Sequence, residues 1–328
     1  MRISIVGAGA LGRIYGVRLA AQGDDVTFVV RPERVSDVRP FVIEQVNSAD
    51  RRDTLERPRL AADIPAGTDV VLVTVRFDQL APRPDRGAPR ADGRRTVADL
   101  LRGGPAAPVV VLTPLMPPER AALEEAAQRR ITPAMPSVSG YLDERGVVRA
   151  WIVGFTSTLI DADGGAPAER PLLEELARRL TIADIPARLE RDVGAQNLAT
   201  TIAFFPLIAA IDAGGGTSAL VADEGVLGTA LEATKECAAL AGRLGDVAPW
   251  TKLLTRAIGP LTLKPGVALV RLLAPEALRF LDVHFGPKLR AQHLAMGATI
   301  VALGREHGVS LPALERLLTV IERRPPAR

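Results

Sequence analysis

The chain has 328 residues, of which 47% are hydrophobic, so it can bury a sizeable core and its length suggests two domains. Its 41 basic and 38 acidic residues are spread along the sequence without a basic stripe interleaved with aromatics, so nucleic acid is not an expected partner. The single cysteine, Cys237, excludes an internal disulfide and fits a reducing compartment.

The first residues, MRISIVGAGALG, are apolar but too short and too rich in glycine for the apolar region of a signal peptide. The stretch LATTIAFFPLIAAI has 14 residues and contains Pro206, which falls short of a clean apolar span. We therefore predict a cytoplasmic protein with no membrane partner.

The first half of the chain alternates short β-rich runs with helical patterns. Near-continuous Val, Ile and Leu runs separated by helices are typical of a buried parallel sheet. Two segments rich in Pro and Arg are predicted to be surface loops, and the second is long enough to be mobile. The predicted strands are 2–7, 25–31, 69–75 and 108–114, with a hairpin-like pair in 136–154 and loops at 31–40 and 81–95.

Beyond about residue 190 the sequence has helical periodicity and almost no strand signal. The segment DAGGGTSA, 212–219, is predicted to be a flexible turn between two helices. Cys237 lies in a helical pattern with no histidine nearby in sequence, which favours a buried structural thiol over a nucleophile. Helices are predicted at 193–212, 224–244, 250–260, 275–283, 287–307 and 312–323, punctuated by Gly245, Gly308 and Pro312.

The strongest motif is the G-x-G-x-x-G of Gly7, Gly9 and Gly12, directly after a strand. Gly7 allows the tight turn, Gly9 lets the backbone approach a pyrophosphate at the helix N-terminus, and Gly12 allows close packing of helix on strand. Ala8, Ala10 and Leu11 complete the predicted cofactor loop. Because an amphipathic helix and a second strand follow, the pattern predicts dinucleotide binding; the alternative is a glycine-rich turn that has lost its ligand.

The end of the second strand indicates which dinucleotide is bound. NAD-selective sites usually place a carboxylate there, whereas this chain has Arg31, nineteen residues after Gly12, with Arg34 close behind. A guanidinium suits a 2′-phosphate, so NADP is the predicted cofactor. The alternative for Arg31 is an ordinary solvated loop residue.

With these residues the chain resembles the ketopantoate reductase (2-dehydropantoate 2-reductase) family. The resemblance rests on the glycine motif, Arg31, VTVRFDQL, the helical second half and the end GATIVALGREHGVSLPALERLL. It implies an α/β Rossmann-type NADP-binding domain, here 1–190, followed by an all-α domain for substrate binding and dimerisation, 191–328. In the family the active site lies between the domains, NADPH delivers hydride to a 2-keto acid, and a homodimer is compatible with the resemblance.

On the cofactor side the resemblance carries over. The glycines and Arg31 match the family's positions, Gln79 matches a family Gln, and Arg76 stands where the family usually has a cofactor-contacting Lys. Arginine for lysine keeps the charge but changes the geometry.

The residues on the substrate side do not match those of the family. Pro114 and Leu115 replace an Asn-Gly pair after the fifth strand. Alignment on Pro206 puts Asn197 at the position of the family's general-acid Lys and Thr201 at that of an Asn. In the late helix, Leu278 replaces a Ser and Arg290 replaces a Glu. A ketopantoate reductase needs a proton donor and a carboxylate-binding pocket, so we do not expect turnover of ketopantoate.

Four residues are candidates to replace the missing proton donor and carboxylate-binding groups. Asn197 and Thr201, four apart on one helix face, would donate hydrogen bonds to a carbonyl oxygen; the alternative is that they are polar residues of helix packing. Arg290 and His293 share a predicted face, where Arg290 would hold a carboxylate and His293 would donate a proton near neutral pH. The alternative is a solvated charged face, which we prefer for Lys288 and His284.

The substitutions make the predicted pocket more apolar, with Phe204, Phe205 and Leu278 as lining candidates. We therefore predict an NADP-dependent oxidoreductase acting on a bulkier small molecule, as in secondary metabolism, with no metal. The alternative is a cofactor-binding protein without hydride transfer, acting as a sensor, a scaffold or a non-redox cyclase-like protein. His307 is expected at a helix C-terminus, where it interacts with the helix dipole.

Overall fold

A computed structural model describes residues 1–48, 51–80, 95–152, 156–245, 247 and 249–324. The chain divides into two compact units, Met1–Gly194 and Ala195–Arg328. The long loop predicted at 81–95 lies outside the described residues except for its last position.

The first unit contains a large, mainly parallel sheet. Its strands are ordered β12-β11-β8-β7-β6-β1-β2-β5, and neighbours pair in parallel except for the antiparallel β8 and β11. A second sheet, ordered β4-β3-β10-β9, packs against α1. The strands are β1 (Arg2–Val6), β2 (Asp25–Val29), β3 (Phe41–Gln45), β4 (Arg52–Leu55), β5 (Arg59–Ala61), β6 (Val70–Val73), β7 (Val109–Val111), β8 (Thr132–Met135), β9 (Val138–Leu142), β10 (Val148–Ile152), β11 (Thr158–Asp161) and β12 (Ala187–Glu190).

Helices cover both faces of the large sheet. Successive residues of a strand point to opposite faces, so they belong to two different hydrophobic cores. In β6, Val70 and Leu72 join the core of α1 and α5, whereas Val71 and Val73 join the core of α3 and α4. The Val- and Ile-rich runs that predicted a parallel sheet are therefore buried on both sides. The helices of this unit are α1 (Ala10–Ala21), α2 (Phe77–Leu80), α3 (Val97–Gly103), α4 (Pro117–Ala127) and α5 (Arg170–Ile182).

The second unit is helical, and its described residues contain no strand. The predicted turn at 212–219 is shorter than expected: Gly215 and Gly216, at φ +85° and +119°, separate α6 from α7, which already begins at Thr217. The sequence prediction also missed α10, because it contains Pro260 and Pro265, and proline usually argues against a helix. The helices are α6 (Val193–Gly214), α7 (Thr217–Ala222), α8 (Glu224–Leu244), α9 (Pro249–Ala257), α10 (Pro260–Leu273), α11 (Pro275–His284), α12 (Arg290–Glu306) and α13 (Pro312–Arg323).

The α6 helix corrects one expectation. Its 22 residues are long and apolar enough to cross a membrane by length and composition, although the sequence had indicated that no stretch approaches that length. More than half of its apolar window is buried in the fold, where Ile202 and Ala203 are fully covered. The helix therefore packs as a core helix.

Candidate cofactor and substrate residues

Two of the three motif glycines are required by the backbone itself. Gly7 has φ +105°, a conformation that L side chains rarely adopt, and a Cβ there would lie 2.9 Å from Val75 Cγ1. A Cβ on Gly12 would lie 2.0 Å from the carbonyl oxygen of Gly7. The turn that joins β1 to α1 is thus closed so tightly that only glycine fits at these two positions.

Gly9 is different, because no atom lies within 4 Å of where its Cβ would be. It is the N-cap residue of α1, and no side chain caps that helix. The first N–H groups of a helix have no partner within the helix, and they carry the positive end of its dipole. An open approach to an uncapped helix N-terminus at Ala10 and Leu11 suits an anion such as a pyrophosphate.

Two side chains that the sequence analysis overlooked brace this turn. Thr74 Oγ1 donates to the carbonyl oxygen of Gly7 at 2.9 Å. The buried guanidinium of Arg13 donates from Nε to Ala8 O and from Nη1 to Gly146 O, both at 3.0 Å, and stacks 4.0 Å over the ring of Phe41. The available signal was a charged residue directly after the motif, on a helix that is mostly apolar apart from Arg13 and Arg18.

The predicted 2′-phosphate residues lie beside the turn. β2 is the neighbour of β1, with Val6 paired to Val29, so Arg31 follows at the carboxyl edge where the glycine turn begins. Arg31 and Arg34 are both exposed. Burial first and the charge of Arg34 second lower the pKa of Arg13 to about 10, and Asp37 opposes them. Arg34 therefore lies close enough to Arg13 for its charge to act on that guanidinium.

Arg76 and Gln79 follow β6, which flanks β1 on the other side with Val6 paired to Val73. Both are exposed, and Arg76 Nη2 forms an ion pair with Asp78 Oδ2 at 3.1 Å. Because the carboxyl ends of parallel strands share one edge of the sheet, all predicted cofactor residues of this unit lie along that edge.

Pro114 and Leu115 follow β7, the next strand along the same edge, and are half-buried. Their side chains offer no hydrogen-bonding group. This part of the edge therefore presents apolar side chains.

In the second unit, Asn197 and Thr201 lie one turn apart on α6. Asn197 is buried, Thr201 is half-buried, and the threonine hydroxyl donates to Asn197 Oδ1 at 3.2 Å. The bond holds the amide in one orientation, with its oxygen toward Thr201. The two residues thus form one hydrogen-bonded polar pair on a predominantly apolar helix.

Arg290 and His293 both lie beside the carboxylate of Asp212, a residue that the sequence analysis did not single out. Arg290 Nη2 is 3.1 Å from Asp212 Oδ1, and His293 Nδ1 is 3.5 Å from Asp212 Oδ2. Asp212 is 0% exposed and His293 is 1% exposed, so neither lies on a solvated face. Burial disfavours the charged carboxylate of Asp212, but His293 and Arg290 outweigh it, and its pKa lies below the ordinary value.

Arg324 completes this group of charges. Its Nη1 donates to the carbonyl oxygen of Asp212 at 2.9 Å, and its own carbonyl oxygen accepts from Arg290 Nη1 at 2.8 Å. Arg290 does hold a carboxylate, therefore, but an internal one. Its role toward a substrate carboxylate, and that of His293 as proton donor, stay predictions.

The remaining candidates divide between core and surface. Phe205 and Leu278 are buried and Phe204 is half-buried, with the Phe205 ring 6.4 Å from that of His293. Lys288 is exposed, His284 stacks on Phe280, and His307 is the C-cap residue of α12. Cys237 is fully buried, and burial raises the pKa of its thiol, which confirms a structural residue.

Comparison with known proteins agrees with this architecture. Residues 3–103 match the family model described as ketopantoate reductase PanE/ApbA. No curated protein matches the chain. The match covers the first part of the unit Met1–Gly194, including the glycine turn, and leaves the helical unit outside it.

Solved structures extend the likeness over the whole chain. A 2-dehydropantoate 2-reductase from Geobacter metallireducens GS-15 is 21% identical, with 98% of this chain and 99% of that chain covered and a TM-score of 0.65. A PanE/ApbA family ketopantoate reductase from Ralstonia eutropha JMP134 is also 21% identical, with coverage of 98% and 97% and a TM-score of 0.66. A D-mandelate dehydrogenase, solved with NADH and anilino(oxo)acetate, is 14% identical, with coverage of 98% and 97% and a TM-score of 0.68. The chain has the same fold, a Rossmann-type domain followed by an α-helical domain.

Proposed function

We propose that the protein is an NADP-dependent oxidoreductase of the ketopantoate reductase type that reduces a substrate bulkier and less polar than ketopantoate. The glycine turn carries this proposal, because Gly7 and Gly12 close it while Gly9 leaves open space before an uncapped helix. The family match over residues 3–103 supports the same reading of that turn.

The residues along the carboxyl edge of the sheet fit NADP. The N-terminus of α1 would hold the pyrophosphate and Arg31 the 2′-phosphate, with Arg34 adding positive charge. Arg76 and Gln79 would contact the cofactor from the β6 side. When bound, the nicotinamide supplies a hydride to an electrophilic carbon of the substrate.

Asn197 is the proposed partner of the substrate oxygen, donating through its Nδ2, and Thr201 would orient the amide because its hydroxyl donates to Asn197 Oδ1. Reduction of a carbonyl places negative charge on oxygen, and fixed hydrogen-bond donors stabilise that charge without transferring a proton. Neither side chain titrates near neutral pH, so the proton would come from water or from another group. His293 stays a candidate, although it lies against Asp212.

The size of the substrate is inferred from the loss of polar groups at Pro114, Leu115 and Leu278. Support also comes from the D-mandelate dehydrogenase of the same fold, whose ligand anilino(oxo)acetate carries an aromatic ring beside its oxoacid group. We extend this to a carbonyl compound with a branched or aryl substituent. A cytoplasmic location and a role in secondary metabolism belong to the same proposal.

Titration of the purified protein with NADPH and NADH, followed by nicotinamide fluorescence, tests the cofactor. We expect NADPH to bind at least about tenfold more tightly, because of the guanidinium groups beside the turn. Binding of NADH alone would contradict the assignment of Arg31, and binding of neither would remove dinucleotide chemistry altogether.

A series of carbonyl compounds, from ketopantoate through aryl-substituted 2-oxo acids to aryl ketones without a carboxylate, tests the reaction by oxidation of NADPH. We expect turnover of the larger apolar members and none of ketopantoate. Turnover of ketopantoate at a rate equal to the best substrate would refute the proposed change of specificity.

A second candidate is a protein that binds NADP without transferring hydride. It is favoured by the alignment on Pro206, which puts the uncharged Asn197 at the position of the family's general acid. NADPH binding without turnover of any carbonyl or imine substrate would select this candidate.

A further inference from the structure

A cavity of about 210 Å³ opens at the amino-terminal ends of β1, β2 and β5, the edge of the large sheet opposite to the glycine turn. It is smaller than the pockets of roughly 300–1,000 Å³ that take drug-sized ligands, so it fits a molecule of only a few heavy atoms. None of the residues proposed above for cofactor or substrate is among the described residues that line it. Its polar lining residues are Arg2, Ser4, Asp25, Thr27, Arg59 and Thr68.

The floor of the cavity is a row of polar residues on three neighbouring strands. Ser4 pairs with Thr27, and Thr27 pairs with Arg59, so the three side chains point to one face of the sheet. Two residues further along that face, Val6 and Val29 belong to the core of α3 and α4. Ser4 and Thr27 thus place hydroxyl groups at positions whose next neighbours on the same face are apolar.

The two hydroxyl groups of the floor are both buried, but they differ in their partners. Ser4 is 1% exposed, and its Oγ lies 2.8 Å from Thr68 Oγ1. Thr27 is 5% exposed, and its hydroxyl makes no hydrogen bond within the part of the chain that the structure describes. A buried polar group without a hydrogen bond costs free energy. Because Thr27 lines the cavity, a ligand bound there would supply the missing bond.

The direction of the existing hydrogen bonds determines what the floor offers to a ligand. Thr68 Oγ1 donates to Pro65 O at 2.8 Å, so its only proton is used and Ser4 is the donor between the two hydroxyls. Ser4 Oγ is therefore an acceptor toward the cavity, whereas Thr27 Oγ1 can donate or accept. A ligand that carries a hydroxyl group matches this floor.

The walls of the cavity add positive charge. Arg2 Nη2 forms an ion pair with Asp69 at 3.0 Å, and Arg59 Nη1 forms one with Asp25. A guanidinium has five N–H donors, so each arginine keeps donors for a ligand. Among the charged side chains that line the cavity, Arg2 and Arg59 exceed Asp25 by one positive charge. The cavity therefore favours a ligand with an anionic group.

The loop between β5 and β6 fixes one of these walls. Gly67 has φ +79°, and a Cβ there would lie 2.7 Å from Arg2 Nη1, so the loop passes close to the guanidinium. Asp69 Oδ2 also accepts from the backbone N–H of Arg2 at 2.7 Å. Arg2 is thus held by its backbone and by its side chain, and this wall exists before a ligand binds.

We propose that this cavity binds a small hydroxylated oxyanion, such as hydrogen phosphate or a short hydroxy acid. Arg2 and Arg59 hold the anionic oxygens, while Ser4 and Thr27 bind the hydroxyl end. The site uses none of the residues proposed for cofactor binding or hydride transfer, and it lies at the other end of β1 from the glycine turn. It is therefore independent of the proposed function.

Isothermal titration calorimetry at pH 7 with inorganic phosphate and with glycolate tests the site. We expect at least one of them to bind with a Kd below about 1 mM, and the tighter of the two identifies the anionic group. Thr27→Val keeps the branched shape but removes the hydroxyl, so it should weaken binding at least about tenfold. The control is Thr132→Val, which changes another buried threonine of the same sheet, on β8, and should leave binding unchanged. Binding of neither ligand, or equal losses in the two variants, would overturn the proposal.

A second pair of variants separates the cavity from the cofactor edge, where a phosphate group is also expected to bind. Arg59→Gln removes a charge from the cavity wall and should weaken binding of the tighter ligand at least about tenfold. Arg31→Gln should leave that binding unchanged. Titration with NADPH should give the reverse result, with affinity lost in Arg31→Gln and kept in Arg59→Gln, so the cavity and the NADP assignment can fail separately. If Arg31→Gln weakened binding of the small anion as much as Arg59→Gln or more, the anion would bind beside the glycine turn and the proposed cavity site would be wrong.

Discussion

The guanidinium of Arg290 lies 3.1 Å from the carboxylate of Asp212, and both belong to a buried group at the C-terminal end of α6. The carboxylate has no solvent exposure, so it depends on nearby positive charge. Arg324 adds hydrogen bonds to the backbone of the same helix end. The group therefore connects α6 to α12 and to the end of α13.

Replacement of Asp212 by Asn should destabilise the protein by about 3–5 kcal/mol, because it removes the fully buried carboxylate that faces the guanidinium of Arg290 and the ring of His293. Urea unfolding followed by circular dichroism measures the change. The control is Glu276→Gln, which breaks an exposed ion pair with Arg279 at 2.9 Å and should cost less than about 1 kcal/mol. Equal effects of the two substitutions would contradict the structural role of Asp212.

The contribution of Asp212 should also depend on pH. Its pKa is lowered in the folded protein, so ionisation stabilises the fold above the pKa of the unfolded chain, about 4. The stability difference between wild type and Asp212→Asn should be constant above about pH 5 and should shrink as the pH falls through the folded pKa. A difference that grows in acid would mean that the carboxylate is destabilised by its surroundings.

The sequence was sufficient for the first unit's central strands and its glycine turn, because buried Val and Ile runs and three fixed glycines are local signals. The sequence was insufficient to predict β3 and β4. Their runs are short and half-polar, and they form strands of a sheet that packs on α1, which no local pattern indicates. Arg13 was overlooked for the same reason. Its hydrogen bond to Gly146 joins residues far apart in sequence, and no local pattern predicts such a contact.

In the second unit, spacing placed Asn197 and Thr201 on one face, and their hydrogen bond has that geometry. The same reasoning paired Arg290 with His293 but gave no reason to include Asp212, which lies 78 residues earlier than Arg290. A charged run on a helix is usually a solvated surface. Here a distant carboxylate reverses that expectation.

Substitution of two motif glycines should have two separate effects, one on NADPH binding and one on stability. Gly9→Ala should fold with unchanged stability, since nothing lies near the added Cβ, but should weaken NADPH binding at least about tenfold by blocking the approach to α1. Gly12→Ala should lower stability by about 1–3 kcal/mol, because its Cβ would meet the oxygen of Gly7. Thermal melting and fluorescence titration separate the two effects. A destabilised Gly9→Ala protein that still binds NADPH would contradict this division.

Charge reversal at Arg31 should change cofactor preference. Arg31→Glu should weaken NADPH binding by about 10- to 100-fold and leave NADH binding little changed, because only NADPH carries the 2′-phosphate. The control is Arg57→Glu, an exposed residue ahead of β5 and therefore at the opposite edge of the sheet. If both variants lost NADPH affinity equally, net charge rather than a specific contact would explain NADPH binding.

The polar pair on α6 gives the sharpest test of the reaction. If Asn197 binds the substrate oxygen and Thr201 orients its amide, Asn197→Ala should lower kcat at least about 100-fold while NADPH binding is unchanged. Thr201→Ser keeps the hydroxyl that orients the amide and should retain most activity, whereas Thr201→Val should not. If the pair serves only helix packing, Asn197→Ala should cost about 1 kcal/mol of stability and leave kcat unchanged.

Asn197→Lys should not create ketopantoate turnover, because Pro114 and Leu278 still lack polar groups for that substrate. A gain of turnover in this variant would show that the activity was lost through Asn197 alone.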